Sequence, residues 1–225
     1  MGLFYGFIVD GIVQENETGP GFSEGKTRGP GYIKYADLNE NGYIDDGDKT
    51  IIGNPLPLFT YGFNTSVTYR FITLSADFYG VYGNDIFNLN SVQEYDVYST
   101  TRNVSSLAIA NAWTPENKSN RWPGIGKISS TDDGRYSTRT VEDGSYLKLS
   151  NVSLSFSIPI NKRKAKLLKG LNLGLSCTNV FVLTKYTGWS PTNNSFGSSV
   201  GRMGVDLSTT PLPRGYNFDI KFLFQ

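Results

Sequence analysis

Apolar and polar side chains alternate along several stretches of this chain. The period of two is that of a β-strand whose faces meet different surroundings. From Tyr61 the odd positions Tyr61, Phe63, Thr65, Val67, Tyr69 and Phe71 interleave with Gly62, Asn64, Ser66, Thr68 and Arg70. The parity then reverses, with Ile72, Leu74, Ala76, Phe78, Gly80 and Tyr82 against Thr73, Ser75, Asp77 and Tyr79. A reversal within Arg70-Phe71-Ile72 predicts a tight hairpin. Val152, Leu154, Phe156 and Ile158 alternate with serines, whereas Leu147 and Leu149 hold the other parity, so a bulge is expected near Ser150-Asn151. Leu171, Leu173, Leu175, Cys177 and Phe181 form a further ladder, and Tyr216, Phe218, Ile220, Phe222 and Phe224 the last. Strands are expected near 3–13, 60–71, 72–83, 145–159, 171–185 and 214–225, the first weakened by glycines.

The connections at 14–59, 84–144 and 186–213 are long, while those at Arg70-Phe71 and Pro159–Gly170 are short. Long and short connections in turn are the plan of an outer-membrane barrel, with long outside loops and short periplasmic turns. A soluble sandwich shows turn signals at more regular spacing. The expected fold is therefore all-β: an antiparallel transmembrane β-barrel segment of about six strands, with extracellular loops at 14–59, 84–144 and 186–213 and a periplasmic C-terminus. The polar face of each strand, rich in Ser, Thr, Asn and Gly, suits a watery or plugged lumen. The opening Met1-Gly2-Leu3-Phe4-Tyr5-Gly6 lacks the basic region of a secretory signal. The segment is accordingly expected to be part of something longer.

Composition narrows the chemistry. Lys and Arg number 21 against 20 Asp and Glu, a net charge of +1, which argues against a nucleic-acid partner. There is no histidine, so histidine-dependent triads and His-ligated metals are excluded. The one cysteine, Cys177, excludes an internal disulfide and a Cys-rich zinc site. It lies among leucines on the apolar face of its strand, as a packed small group does. No residue qualifies for a catalytic role, and an enzyme is not expected.

The sharpest local motif runs from Asp37 to Asp48. Asp37, Asn39, Asn41, Asp45 and Asp48 bring side-chain oxygens at loop positions 1, 3, 5, 9 and 12, Tyr43 offers its carbonyl, and Gly42 allows a sharp turn. Hard oxygens in this spacing are the pattern of a Ca²⁺ loop. Asp48 stands where a bidentate Glu is usual, so a single-oxygen contact is expected. The alternative is an acidic Asn/Gly turn without metal. Trp113, Trp122 and Trp189 lie in the long connections and are candidates for ligand or partner contact, or for packing the loops together. Gly25-Lys26-Thr27 lacks the spacing of a phosphate loop and is expected to be a mobile loop. Lys162, Arg163, Lys164, Lys166 and Lys169 are expected to form a solvated turn.

Several stretches together carry a family resemblance. They are Asp37–Asp48 followed by Thr50-Ile51-Ile52-Gly53-Asn54-Pro55, Thr60–Asn64, Gly80–Asp85, Trp113–Asn117, Glu142–Leu149, Thr178–Phe181, Thr184–Gly188 and Pro211–Arg214. In these the chain resembles the C-terminal region of SusC/RagA-type TonB-linked outer-membrane transporters of Bacteroidetes. After Gly188 the family usually has an acidic residue and Pro-Glu, where this chain has Trp189-Ser190-Pro191-Thr192; family chains also usually end on the aromatic of the last strand, whereas Gln225 follows Phe224 here. The resemblance implies a barrel of about 22 strands, of which these would be the last six, with the plug absent. It also implies a cell outer-membrane location, contact with lipid, a SusD-like surface lipoprotein as partner, and TonB acting through the missing plug. The implied cargo is an oligosaccharide or a peptide. The competing expectation is a soluble, calcium-stabilised β-sandwich that binds carbohydrate through its tryptophans. In such a sandwich a second sheet buries the ladder Tyr216/Phe218/Ile220/Phe222/Phe224, whereas in a barrel lipid meets it.

Overall fold

The computed structural model describes residues 2–95, 103, 105–128, 136–160, 167–192, 194–196, 200–207 and 209–224, with the side chains of 93–95 excepted. The expected basic turn lies largely outside these residues, since 161–166 are not among them. In chain order the strands are β1 (Phe4–Phe7), β2 (Val9–Ile12), β3 (Gly19–Pro20), β4 (Thr27–Arg28), β5 (Ile33–Tyr35), β6 (Lys49–Gly53) and β7 (Phe59–Tyr69). They continue with β8 (Ile72–Tyr82), β9 (Asp85–Asn88), β10 (Val141–Asp143), β11 (Tyr146–Pro159), β12 (Leu168–Thr184), β13 (Val205–Asp206) and β14 (Gly215–Phe224). Two short α-helices, α1 (Leu89–Tyr95) and α2 (Ser106–Asn111), and 3₁₀ turns at Asp46–Asp48 and Val200–Arg202 are also among the described elements. No helix among the described residues is long and apolar enough to cross a membrane.

The chain forms two compact units. One comprises Pro57–Gly83, Gly144–Lys185 and Pro211–Gln225 and is a single antiparallel sheet in the order β14-β12-β11-β8-β7. Its register sets the faces. Val67 pairs with Leu74, Leu74 with Leu154, Leu154 with Leu175, and Leu175 with Phe218, so one apolar row crosses all five strands. One residue along, Ser66, Ser75, Ser153, Ser176 and Asn217 form the polar row on the opposite face. Within the polar rows the Ser75 and Ser153 hydroxyls lie 2.7 Å apart, Thr68 and Thr73 3.0 Å apart, and Asn151 Nδ2 donates to Asp77 Oδ2 at 3.2 Å.

The bulge at Ser150 keeps these rows in phase. Between the pairs at Leu149 and Asn151, β8 advances one residue, from Phe78 to Asp77. Over the same interval β12 goes from Phe181 to Thr178, and Asn179 takes a left-handed conformation with φ 54°. An extra residue therefore enters at each successive strand, and Leu149, Phe78 and Phe181 stay on the apolar face. Asparagine tolerates this φ better than most residues. Its side chain donates to the Pro213 carbonyl at 2.8 Å, and the Arg214 guanidinium donates to the Val180 carbonyl at 2.6 Å, tying the bulge to the entry of β14. At the hairpin, Tyr69 pairs with Ile72, and Arg70 has φ 55°.

The apolar face is open. Tyr216, Phe218, Ile220, Phe222 and Phe224 are 51–74% exposed, and Phe63, Val67, Tyr69, Leu74 and Leu175 are exposed too. A second sheet would have buried the β14 ladder, and it does not. The outer strands β7 and β14 leave unpaired edges, as in a segment of a barrel that is not closed.

The other unit comprises Met1–Leu56, Asn84–Asp143 and Tyr186–Thr210. It is built from short pairings: β1 with β6, β2 with β5, β3 with β4, and β9 between β10 and a parallel β13. The stretch 3–13, expected to be a single barrel strand, is therefore two four-residue strands outside the five-stranded sheet. Glycine is the cause. Gly11 has φ 127°, and a Cβ at Gly6 would stand 2.2 Å from the Tyr136 carbonyl oxygen, so the backbone is broken and closely crossed. Phe4, Phe7, Ile12 and Val13 are all buried, without the alternation of a two-faced strand. The expected loop at Gly25-Lys26-Thr27 is an ordered hairpin, in which β3 pairs with β4 and Gly21 N–H donates to the Lys26 carbonyl at 2.9 Å.

Each large apolar side chain on the open face gains about 1.5–3 kcal/mol when it leaves water, and a contiguous patch of this kind marks a membrane or protein surface. The chain is expected to aggregate in plain buffer and to become monodisperse in detergent, as light scattering would record. In a bilayer Leu175→Arg should cost about 2–4 kcal/mol, as found for midplane cations on a lipid face. Ser176→Arg, one residue along on the polar face, should cost less than about 1 kcal/mol; denaturant titration in lipid vesicles reads both.

Candidate functional site

Asp37–Asp48 folds as a closed turn whose acids face backbone amides. Residues 46–48 form a single 3₁₀ turn capped by Asp45, whose Oδ1 accepts Gly47 N–H at 2.7 Å. Asp48 completes the capping box, its Oδ2 accepting Asp45 N–H at 2.8 Å. Its Oδ1 accepts Leu38 N–H at 2.8 Å and Asn39 N–H at 3.3 Å, and the residue is 0% exposed. Asp37 accepts from the Asn41 and Gly42 amides at 3.2 and 2.7 Å. Asn39 Nδ2 and Asn41 Nδ2 donate to the two oxygens of Asp45 at 3.3 and 3.0 Å. Asn39, Asn41 and Asp45 therefore converge, while Asp48 closes the loop from inside. Among the described residues no group of three or more acidic, histidine or cysteine side chains is gathered as a metal site.

The three tryptophans part company. Trp113 is 8% exposed and belongs to the core with Phe7, Ile12, Ile33, Tyr35, Ile44 and Ile128. Its indole N–H donates to Gln14 Oε1 at 3.0 Å, and a Cβ at Gly31, where φ is 84°, would meet its ring at 2.8 Å. It packs the connections together, and its burial leaves no ring face for a ligand. Trp122 is half-buried, with the Arg121 guanidinium 5.6 Å from its ring centre. Trp189 is 65% exposed.

Several polar anchors of this unit carry no metal or catalytic signature in the sequence. Glu142 accepts from Asn88 Nδ2 at 2.9 Å and from the Thr187 amide and hydroxyl at 2.8 Å each, so it joins three distant segments. Asp206, 0% exposed, accepts the Tyr186 hydroxyl at 2.7 Å and the Thr209 hydroxyl. Asp85 Oδ2 accepts Asn54 N–H at 2.8 Å. Arg28 is buried among the rings of Phe22, Tyr32 and Tyr35 at 4.9–5.5 Å and donates to the Ile33 carbonyl. Gly53-Asn54-Pro55, Gly83-Asn84-Asp85 and Glu142-Asp143 were visible as motifs; their structural use was not, because the partners lie far off in sequence.

The fold thus defines a class: an antiparallel sheet of transmembrane-type strands whose long connections fold into a unit of their own. No protein-family model matches the chain. It is 30% identical over 233 residues to TonB-dependent receptor P3 of Formosa agariphila, a match that spans all of this chain and 22% of the relative. TonB-dependent receptor P26 of the same organism is 29% identical over 197 residues, 86% of this chain and 20% of the relative. TonB-dependent receptor SusC of Bacteroides thetaiotaomicron is 27% identical over 186 residues, 82% of this chain and 17% of the relative. The RagAB peptide transporter superposes with a TM-score of 0.75 at 21% identity, over 98% of this chain and 22% of that one. RagAB in its open-open state gives 0.72. The chain is homologous to TonB-dependent receptors of the SusC/RagA type and has the fold of the matching part of RagAB. It spans about a fifth of the length of these relatives.

Trp113→Ala should remove about 3–5 kcal/mol of stability, the usual cost of emptying an aromatic core site, and broaden the thermal unfolding of the loop unit. Trp189→Ala should leave it unchanged. Asp48→Ala strands three inward-facing amides, so hydrogen exchange at Leu38, Asn39 and Asp45 should quicken by at least about tenfold, whereas Asp46→Ala, at an exposed carboxylate, should not alter it.

Proposed function

We propose that the chain is the barrel-wall and extracellular-loop portion of an outer-membrane importer and is not an enzyme. The observation that carries this is the five-stranded sheet, whose register places one unbroken apolar row and one hydrogen-bonded polar row on opposite faces. Lipid takes the first face and an aqueous or plugged lumen the second. By analogy with the relatives, a SusD-like surface lipoprotein covers the loops and TonB supplies the energy through a plug. Oligosaccharides or peptides are the cargo class; RagAB is a peptide transporter. The short connections face the periplasm, as does the C-terminus.

The acidic loop is proposed to hold one Ca²⁺ through Asp37, Asn39, Asn41, Asp45 and the Tyr43 carbonyl. Asp48 already accepts three N–H donors, which leaves one lone-pair site on Oδ2 for a single contact. The all-oxygen donor set suits a hard cation, and turning the Asn39 and Asn41 amides would replace their N–H contacts on Asp45 with oxygen contacts on the ion. The cation's part is to order the connection rather than to act on cargo.

Removing the coding region from the source bacterium should abolish uptake of one class of oligomer and spare its monomers, and the protein should fractionate with the outer membrane. A soluble, detergent-independent product would overturn the importer assignment. Calcium affinity should lie at about 10⁻⁴ to 10⁻³ M, the range of extracellular modules, and Asp37→Ala should abolish the calorimetric signal. Equal heats for the two proteins would reduce the motif to an acidic turn.

A further inference from the structure

A cleft of about 370 Å³ lies in the loop unit, lined by Asp10 and Gly11 of β2, by Asn120 and Arg121, and by Arg139 and Glu142. A smaller recess beside it shares Arg121, Arg139 and Glu142 and adds Ser91 and Trp122. The main volume falls within the range of about 300–1,000 Å³ usual for small-ligand sites. Its walls are held by the protein itself. Asn120 Oδ1 accepts Ile12 N–H at 3.1 Å, and this close approach requires Gly11, since a Cβ there would stand 2.1 Å from that oxygen. Thr138 Oγ1 accepts Val9 N–H at 2.9 Å, and Glu142 is fixed by its three donors.

Two charges on this cleft are unspent. The exposed Arg121 guanidinium rests over the Trp122 ring and makes no ion pair among the described residues. Exposed Asp10 makes none either, so the two line one cleft without neutralising each other. Glu142 offers Arg121 little, because its oxygens already accept from Asn88 and Thr187. A guanidinium held against an aromatic ring keeps its edge N–H groups free, and that planar fork matches a carboxylate in a bidentate contact.

We propose that this cleft binds a small carboxylate-bearing ligand, with Arg121 gripping the carboxylate and Asp10 accepting from an ammonium or hydroxyl of the same molecule. The carboxylate belongs either to the C-terminus of a short peptide or to a uronic-acid sugar. The readout is binding alone. Calorimetry on the full chain in detergent would use triglycine against its C-terminal amide, and trigalacturonate against the neutral trisaccharide maltotriose. In at least one pair the carboxylate form should bind about tenfold or more tightly, a difference of about 1.4 kcal/mol, and that pair names the source. Arg121→Gln, at an exposed position, should erase the difference with an unchanged circular dichroism spectrum. Asp10→Asn should weaken the preferred ligand but not propionate, which has no donor to offer. Equal binding of charged and neutral forms, persistence of the preference in Arg121→Gln, or binding of neither acid up to about 10 mM would overturn the proposal.

Discussion

Register across the five-stranded sheet is the constraint on which the rest depends. With a side-chain period of two, a slip of one residue would turn an apolar row onto the polar face and a serine row onto the apolar one. Val67, Leu74, Leu154, Leu175 and Phe218 share one row only because each strand meets its neighbour at one phase. The bulges at Ser150 and Asn179 serve that phase, since without the extra residues Leu149 and Phe181 would turn to the polar side. The left-handed Arg70 then returns the chain within two residues and preserves the pairing of Tyr69 with Ile72.

The long connections obey a different rule. Ordering segments of that length costs conformational entropy, which apolar burial has to offset. They share a core around Trp113 and Tyr35. Acids act as joints, two of them, Asp48 and Asp206, fully buried. Asp48, Glu142 and Asp206 each accept from neutral amides or hydroxyls rather than from Lys or Arg. The same economy leaves Arg121 and Asp10, which no such joint employs, facing a cleft.

The sheet holds an apolar row on one face and a hydrogen-bonded polar row on the other, and the unit built from the connections holds a cleft lined by Arg121 and Asp10.

The sequence by itself determined the fold class, the two faces of the sheet, the hairpin at Arg70-Phe71 and the bulge near Ser150, because each is written in local alternation and its changes of parity. The SusC/RagA resemblance was legible in the same way, from short motifs. The strand expected at 3–13 was not, because its apolar residues are buried by segments outside it, Phe7 against Phe22 and Tyr35 and Phe4 against Phe87, and its backbone is crossed at Tyr136. Nor could the sequence separate a buried Trp113 from an exposed Trp189, or show that Asp48 is sealed inside its loop while Arg121 is left open. Those outcomes depend on which distant backbone donors and rings reach each side chain, and only the tertiary structure brings them together.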